Sequence, residues 1–325
     1  MQYIRFLKNN LQRLIFAVII TIITMIIIIF FVFFYKKNKD KSIKNKTFEW
    51  RFENWSDPIN WELWNANKYM INASQIDTYK DPLSSKKVMR VTYPKGSFGL
   101  DWPGHSDYGG AQFISSPRFL SEFDDDAYVR LEYKFMFEKS FDWVNGGKLP
   151  GLYGGEGKCT GVETKTNCYS TRYMWRSSGD LEIFPYVSKP LMSYMCGKFN
   201  GLKKVDIPFI KISNGSLNQC NSNSGVSIGR GGLFNTIAGK WTNLTQIVKM
   251  NKIGKQDGTL QVFINGNSVV STNQFVFRDS NIVKTNSILF STFFGGGEPI
   301  YQASKNEFSY WDSFVLTASY EHIWN

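Results

Sequence analysis

Two hydrophobic patterns divide this chain. From Leu14 to Tyr35 the sequence LIFAVIITIITMIIIIFFVFFY runs without a charge. About 20 apolar residues cross a bilayer as a helix. No small-residue cleavage site follows Phe34, where YKKNKDKSIKNK begins. The run therefore predicts an uncleaved membrane anchor over residues 14–35. A tail of residues 1–13 precedes it, and an extended, mobile basic linker over residues 36–47 follows. From Phe48 onward the period changes to two. AYVRLEYKFMF (127–137) alternates apolar and polar positions over part of its length, the sign of a half-buried strand, and DLEIFPYV and LQVFINGNSVVS behave alike. Asn265-Gly266 between two β-rich runs is a hairpin signal, and Asp257-Gly258 marks a turn just before it. SILFSTFF and FSYWDSFVL read as further strands, and no segment after the anchor keeps a 3.6-residue period over four turns. Residues 48–325 are thus expected to be all-β, a jelly-roll sandwich, with residues 195–240 as a loop-rich insertion.

Charge sharpens this picture. The net charge is +11, but residues 1–47 hold nine Lys or Arg against one Asp. From Phe48 to the end, basic and acidic side chains nearly balance, which gives no global nucleic-acid footprint and leaves room for a local basic cleft. Lysines 36, 37, 39, 41, 44 and 46 after the anchor outnumber Arg5, Lys8 and Arg13 before it, and the positive-inside rule then puts the large domain in the cytoplasm. Two features argue the other way. The four cysteines, Cys159, Cys168, Cys196 and Cys220, cluster in one part of the chain, as disulfides of an exported domain would, and sequons occur at Asn45, Asn54, Asn72, Asn214 and Asn243. The expected topology is a single-pass type II protein with its C-terminal domain outside the cytoplasm. The expected pairing is Cys159 with Cys168 and Cys196 with Cys220, one of three possibilities.

The chain lacks a His-x-x-x-His pair, a Gly-x-Ser-x-Gly elbow and a phosphate loop, so no metal or cofactor is expected. Its two histidines are His105, after a Pro-Gly turn, and His322, near the terminus. The informative stretch is WVNGGKLPGLYGG (143–155), where one lysine, Lys148, stands among five glycines. A strand that lets a polymer approach closely and a plain turn both explain it. Downstream, strand alternation turns Ser170 and Arg172 to one side, and Phe184 and Tyr186 share a face of the next strand. A common face holding Lys, Arg, Ser and Tyr suits a carboxylate-bearing sugar polymer, because Arg clamps a carboxylate through two parallel hydrogen bonds. An ordinary solvated sheet face fits the same spacing.

GGKLPGLYGG and STRYMWRSSGDLEIFPYV resemble the most characteristic blocks of polysaccharide lyase family 14, the alginate and glucuronate-polymer lyases of algal viruses, molluscs and fungi. DGTLQVFINGNSVV and ILFSTFFGGGEPIYQASKNEFSYWDSFVL are similar to its closing strands. The resemblance covers roughly residues 85–318. It implies a jelly roll with a concave groove, an acidic polysaccharide substrate cleaved by β-elimination, and a catalytic set of a Lys, a Ser-x-Arg pair and a Tyr-x-Tyr pair. Lys148, Ser170, Arg172 and Tyr186 match that set. Phe184 departs from it, keeping the ring of the first Tyr and losing the hydroxyl. The resemblance implies either Lys148 or Tyr186 as base, with Arg172 neutralising the substrate carboxylate and Ser170 donating beside it. Tyr153, Trp175 and His105 join Phe184 as expected sugar contacts. Two other readings stay open: a glycan-binding module without turnover, favoured by Phe184, and a surface scaffold.

Overall fold

The computed structural model describes residues 2–44, 47–53, 55–56, 59–66, 68–100, 109–157, 159, 167–188, 191, 195–197, 202–214, 216, 218–221, 225–230 and 232–322. It forms two compact units, residues 1–46 and residues 47–325. The first is a helix, α1 (Gln2–Lys44). Its segment Ile15–Tyr35 has a mean hydropathy of 3.3 over 21 residues, apolar and long enough to span a membrane. The helix does not end with that segment. Residues 36–44, expected as extended linker, continue it, because KKNKDKSIK contains neither Gly nor Pro to stop a helix.

The second unit is mainly β, with short helical turns at Ala73–Gln75, Arg118–Glu122, Ser177–Gly179 and Pro299–Tyr301. In chain order its strands are β1 (Thr47–Phe52), β2 (Lys68–Ile71), β3 (Ile76–Lys80), β4 (Lys87–Tyr93), β5 (Ala111–Ser115), β6 (Tyr128–Phe137), β7 (Gly147–Leu149), β8 (Gly151–Gly155), β9 (Cys168–Trp175) and β10 (Asp180–Tyr186). There follow β11 (Leu202–Val205), β12 (Lys211–Ile212), β13 (Asn218–Asn221), β14 (Gly225–Ser227), β15 (Phe234–Asn235), β16 (Thr242–Lys249), β17 (Gly258–Ile264), β18 (Asn267–Phe275), β19 (Thr285–Phe294) and β20 (Glu307–Ser319). One sheet runs β12-β18-β17-β16-β6-β20-β4-β3, with β1 also on β20. The other runs β15-β10-β9-β7-β19-β5-β2, with β8 continuing β7 between β9 and β19. The predicted Asn265-Gly266 turn joins β17 to β18, both residues at positive φ as a two-residue hairpin requires. Strands β11, β13 and β14 form a small separate sheet inside the expected insertion. Both expected disulfides are present, Cys159–Cys168 and Cys196–Cys220.

The core lies between the two large sheets. Trp175, with no exposed surface, packs on Phe137 (ring centroids 5.1 Å apart) and Phe294 (5.5 Å). Truncating such an aromatic costs about 3–5 kcal/mol. A polar bridge crosses this core beneath the second sheet. Pro150 has no N–H and divides β7 from β8. Just beyond it, Leu152 N donates across the core to Gln246 Oε1 of β16, 3.1 Å away. The Gln246 amide donates in turn to Thr171 O (3.0 Å) and the Tyr173 hydroxyl (2.9 Å). That satisfied amide fixes β8 and β9 over β16, since leaving any of these buried groups unpaired would cost about 1–3 kcal/mol.

The glycine-rich run does not form an exposed edge. Strand β7–β8 is interior, and its glycines let neighbouring protein chain, rather than a polymer, come close. A Cβ on Gly147 would meet the Trp175 ring at 2.1 Å and Phe293 O at 2.4 Å, and one on Gly151 would meet Thr171 O at 2.1 Å.

Candidate active site

Alternation along β9 sorts its side chains into two sets. Tyr169, Tyr173 and Trp175 belong to the main core, whereas Met174 joins Phe184, Tyr186, Tyr153 and Leu289 in a second buried cluster on the other face of the sheet. Ser170 and Arg172 have the same parity as Met174 and share that face. Antiparallel register then sets Phe184 opposite Arg172 and Tyr186 opposite Ser170. On the other side of β9, Lys148 of β7 lies opposite Met174.

The result is a compact polar centre. Lys148 Nζ is 2.8 Å from the Tyr186 hydroxyl and 2.9 Å from Met174 Sδ. It also lies 4.6 Å from the centre of the Phe184 ring. The Arg172 guanidinium carbon sits 4.6 Å from the centre of the Tyr186 ring. Arg172 Nη1 donates to Ser291 Oγ (3.1 Å), and Ser291 donates on to Gln112 Oε1 (3.0 Å), so β19 and β5 hold the guanidinium in place. Arg172 Nε is buried with no hydrogen-bond partner among the described residues. The Ser170 hydroxyl, fully buried, donates to Cys159 O at 3.4 Å, and the Cys159–Cys168 disulfide pins that carbonyl beside it.

Burial governs the electrostatics. It lowers the Lys148 ammonium below the usual lysine range, with Arg172 pushing the same way and the Tyr186 phenol opposing. Burial alone would raise Tyr186, but Lys148 and Arg172 outweigh it and the phenol lies below its ordinary value. Arg172 is lowered by burial too. Among the described residues no carboxylate pairs with Lys148 or Arg172. Two buried cations facing one phenol, without an anion of their own, make a site with net positive charge and little solvent to screen it.

Of the residues singled out in the sequence, Lys148, Ser170, Arg172, Phe184 and Tyr186 therefore meet on one face. Tyr153 shares it, opposite Ser170, and lines a cleft of about 570 Å³ with Ile114, Ser116, Glu156, Asn286 and Ser287. Trp175 does not share it. It stands three residues from Arg172, an odd number, so the strand turns it into the sandwich interior, where it cannot touch a bound sugar. His105 lies outside the described residues. No group of three or more His, Cys, Asp or Glu able to hold a metal occurs among the described residues. The sequence reading missed Met174, which alternation alone would have supplied, and Ser291 and Gln112, which no local signal marks.

The family model described as Polysaccharide lyase 14 matches residues 81–314. The crystal structure of a PL-14 alginate lyase from Aplysia kurodai is similar, with a TM-score of 0.65 and 28% identity over 82% of this chain and 97% of that one. An alginate lyase from Chlorella virus shares the fold at a TM-score of 0.56 and 20% identity, over 78% of this chain and 92% of its own. No curated protein sequence matches.

Proposed function

Because this chain belongs to polysaccharide lyase family 14, we propose that it is a membrane-anchored lyase that cleaves a uronate polymer by β-elimination. One observation carries this reading: buried Lys148 and Arg172 converge on Tyr186 with no carboxylate among the described residues to neutralise them. The missing anion is the carboxylate of the substrate.

The proton next to that carboxylate, on C5, is a poor acid while the carboxylate is charged. Arg172 neutralises it and holds the charge that develops as the proton leaves. Burial keeps part of the Lys148 population as free amine at a pH where an exposed lysine would be fully charged, so the amine takes the proton. The C5–H electron pair becomes the C4–C5 double bond, and the C4–O bond breaks toward oxygen. That oxygen takes the Tyr186 proton, which the two neighbouring cations have made more acidic. The centre is left as ammonium and phenolate 2.8 Å apart, and one proton transfer between them restores it. Family membership and similarity to alginate lyases support an alginate-type polymer; a glucuronan substrate fits the same chemistry.

The apolar segment Ile15–Tyr35 supports a single-pass anchor, and two disulfides in the 47–325 unit support an exported, oxidising location for that unit. Phe184 favours a second reading, a module that binds the polymer without cleaving it. Incubating the full chain in detergent micelles with alginate, polymannuronate, polyguluronate and glucuronan decides between them. Lyase action gives unsaturated products and shortened chains. Saturable binding with no change in chain length would leave only the second reading, and no interaction with any polymer would overturn both.

A further inference from the structure

Beyond Met174 the cationic surface continues. Met174 Sδ, which touches Lys148 Nζ, also receives Arg176 Nη2 at 3.6 Å. Arg176 forms an ion pair with Glu182, two residues before Phe184 on β10 and fully buried. Arg230 approaches the other oxygen of the same carboxylate at 3.7 Å, beyond hydrogen-bond range. One carboxylate thus serves two guanidinium groups, and the cluster keeps a net positive charge. Glu182 Oε2 and Arg176 Nε are buried with no hydrogen-bond partner among the described residues. Such groups are costly to leave unsatisfied.

The cluster is open on one side, since the Arg230 side chain keeps 39% of its surface exposed. Tyr301 ends the short helical turn Pro299–Tyr301 that follows β19, and its phenol adds a small charge interaction with Arg230 beside those of Arg176 and Glu182. That ring packs close to Gly296, where a Cβ would come within 2.2 Å of Tyr301 Cε2. Asn145, three residues before Lys148, donates to Ile300 O at 2.7 Å and ties the Tyr301 loop to the approach to β7.

We infer that Arg176, Arg230 and Tyr301 form a second uronate-binding position, next to the one served by Lys148, Arg172 and Tyr186. Arg230 and Arg176 take the carboxylate of the neighbouring sugar, and Tyr301 packs on its ring. Glu182 is the positioning residue that holds both guanidinium groups on the site face. The inference rests on the acidic-polymer reading above and adds a length requirement to it. A chain must be long enough to fill both positions before it is held tightly.

The test is calorimetric titration of the full chain in detergent micelles, carrying Lys148→Ala so that nothing is cleaved. Alginate and glucuronan disaccharides and tetrasaccharides are the probes. The parent is expected to prefer tetrasaccharide over disaccharide. Arg230→Gln, at a half-exposed side chain, is expected to cut that preference about tenfold, the scale of one charged hydrogen bond. Tyr301→Leu is expected to act in the same direction, and Arg230→Lys to restore part of the preference. A tetrasaccharide preference unchanged in both Arg230→Gln and Tyr301→Leu would overturn the second position and leave the lyase reading intact. A parent that binds none of the four probes would overturn the acidic-polymer reading and this inference together.

Discussion

Lys148 Nζ stands 2.8 Å from the Tyr186 hydroxyl, and the two residues reach that contact from strands that do not adjoin, β7 and β10, with β9 between them. In the proposed mechanism these two groups are the proton acceptor and the proton donor, in contact before any substrate arrives. Lys148→Ala is therefore expected to lower turnover about 10³-fold or more and Tyr186→Phe about 10²-fold, within the range for positioned acid–base groups. Unsaturated-product formation measures both. Lys148→Ala at wild-type rate would remove the amine from the chemistry.

In the proposed mechanism the same pair sets the pH dependence. Lys148 and Tyr186 both lie below their ordinary values of 10.5 and 10.0. The rate rises as Lys148 loses its proton and falls as Tyr186 loses its own, so both limbs of the profile are expected below those values and belong to the coupled pair. Tyr186→Phe is expected to abolish the alkaline fall. For stability the sign is the same for both groups. Each binds fewer protons folded than unfolded in this window, so their contribution grows as pH rises toward 10. A kcat profile in Tyr186→Phe that keeps the alkaline limb would assign that limb elsewhere.

Phe184 lies over Lys148 without a hydroxyl of its own. Phe184→Tyr restores the residue that the sequence resemblance implies there and adds a hydroxyl donor to the ring that lies over Lys148. Turnover is expected to rise several-fold with little change in polymer affinity. A lower rate, with the fold intact by circular dichroism, would show that the bare ring suits this site better.

Gly147 precedes Lys148 and faces the Trp175 ring at a distance that leaves no room for a methyl group. Gly147→Ala must displace the indole or the β19 backbone, at about 1–3 kcal/mol. The thermal midpoint is expected to fall, and activity with it, because the same shift moves Lys148. An unchanged midpoint would mean that the strands relax more freely than this packing implies.

Away from the site, Glu307 is fully buried, next to Glu138 and at 3.8 Å from Lys305, and it accepts from Asp142 N at 3.0 Å. Burial is the main cause of its rise from 4.5 to about 7, and the Glu138 carboxyl adds to it. A raised acid stabilises the fold when protonated, so this contribution is complete below pH 4.5 and is lost as pH rises through about 7. Glu307→Gln is expected to raise the thermal midpoint at pH 8 and to flatten its dependence between pH 4.5 and 7. Equal midpoints for wild type and variant at pH 8 would exclude the effect.

Much of this was written locally in the chain. The uncharged run from Leu14 to Tyr35 dictates a helix apolar and long enough to span a membrane, because a helix satisfies the backbone polar groups of so apolar a segment internally. Alternation pairs Ser170 with Arg172 and Phe184 with Tyr186, because successive strand side chains point to opposite faces. The same rule already separated Trp175 from Arg172, and expecting the tryptophan to touch sugar gave its aromatic character more weight than its parity. Asn265-Gly266 closes its hairpin because both positions need positive φ. Periodicity does not say which face meets the other sheet, nor which distant strand lies alongside. Sheet order decided that. It brought Lys148 within reach of Tyr186, set Ser291 and Gln112 behind Arg172, carried Arg230 to Glu182, and filled the space above the glycines with Trp175 and neighbouring backbone. Those contacts join residues far apart in sequence, and only the assembled sandwich, in which strands compete to bury their apolar faces, selects among them.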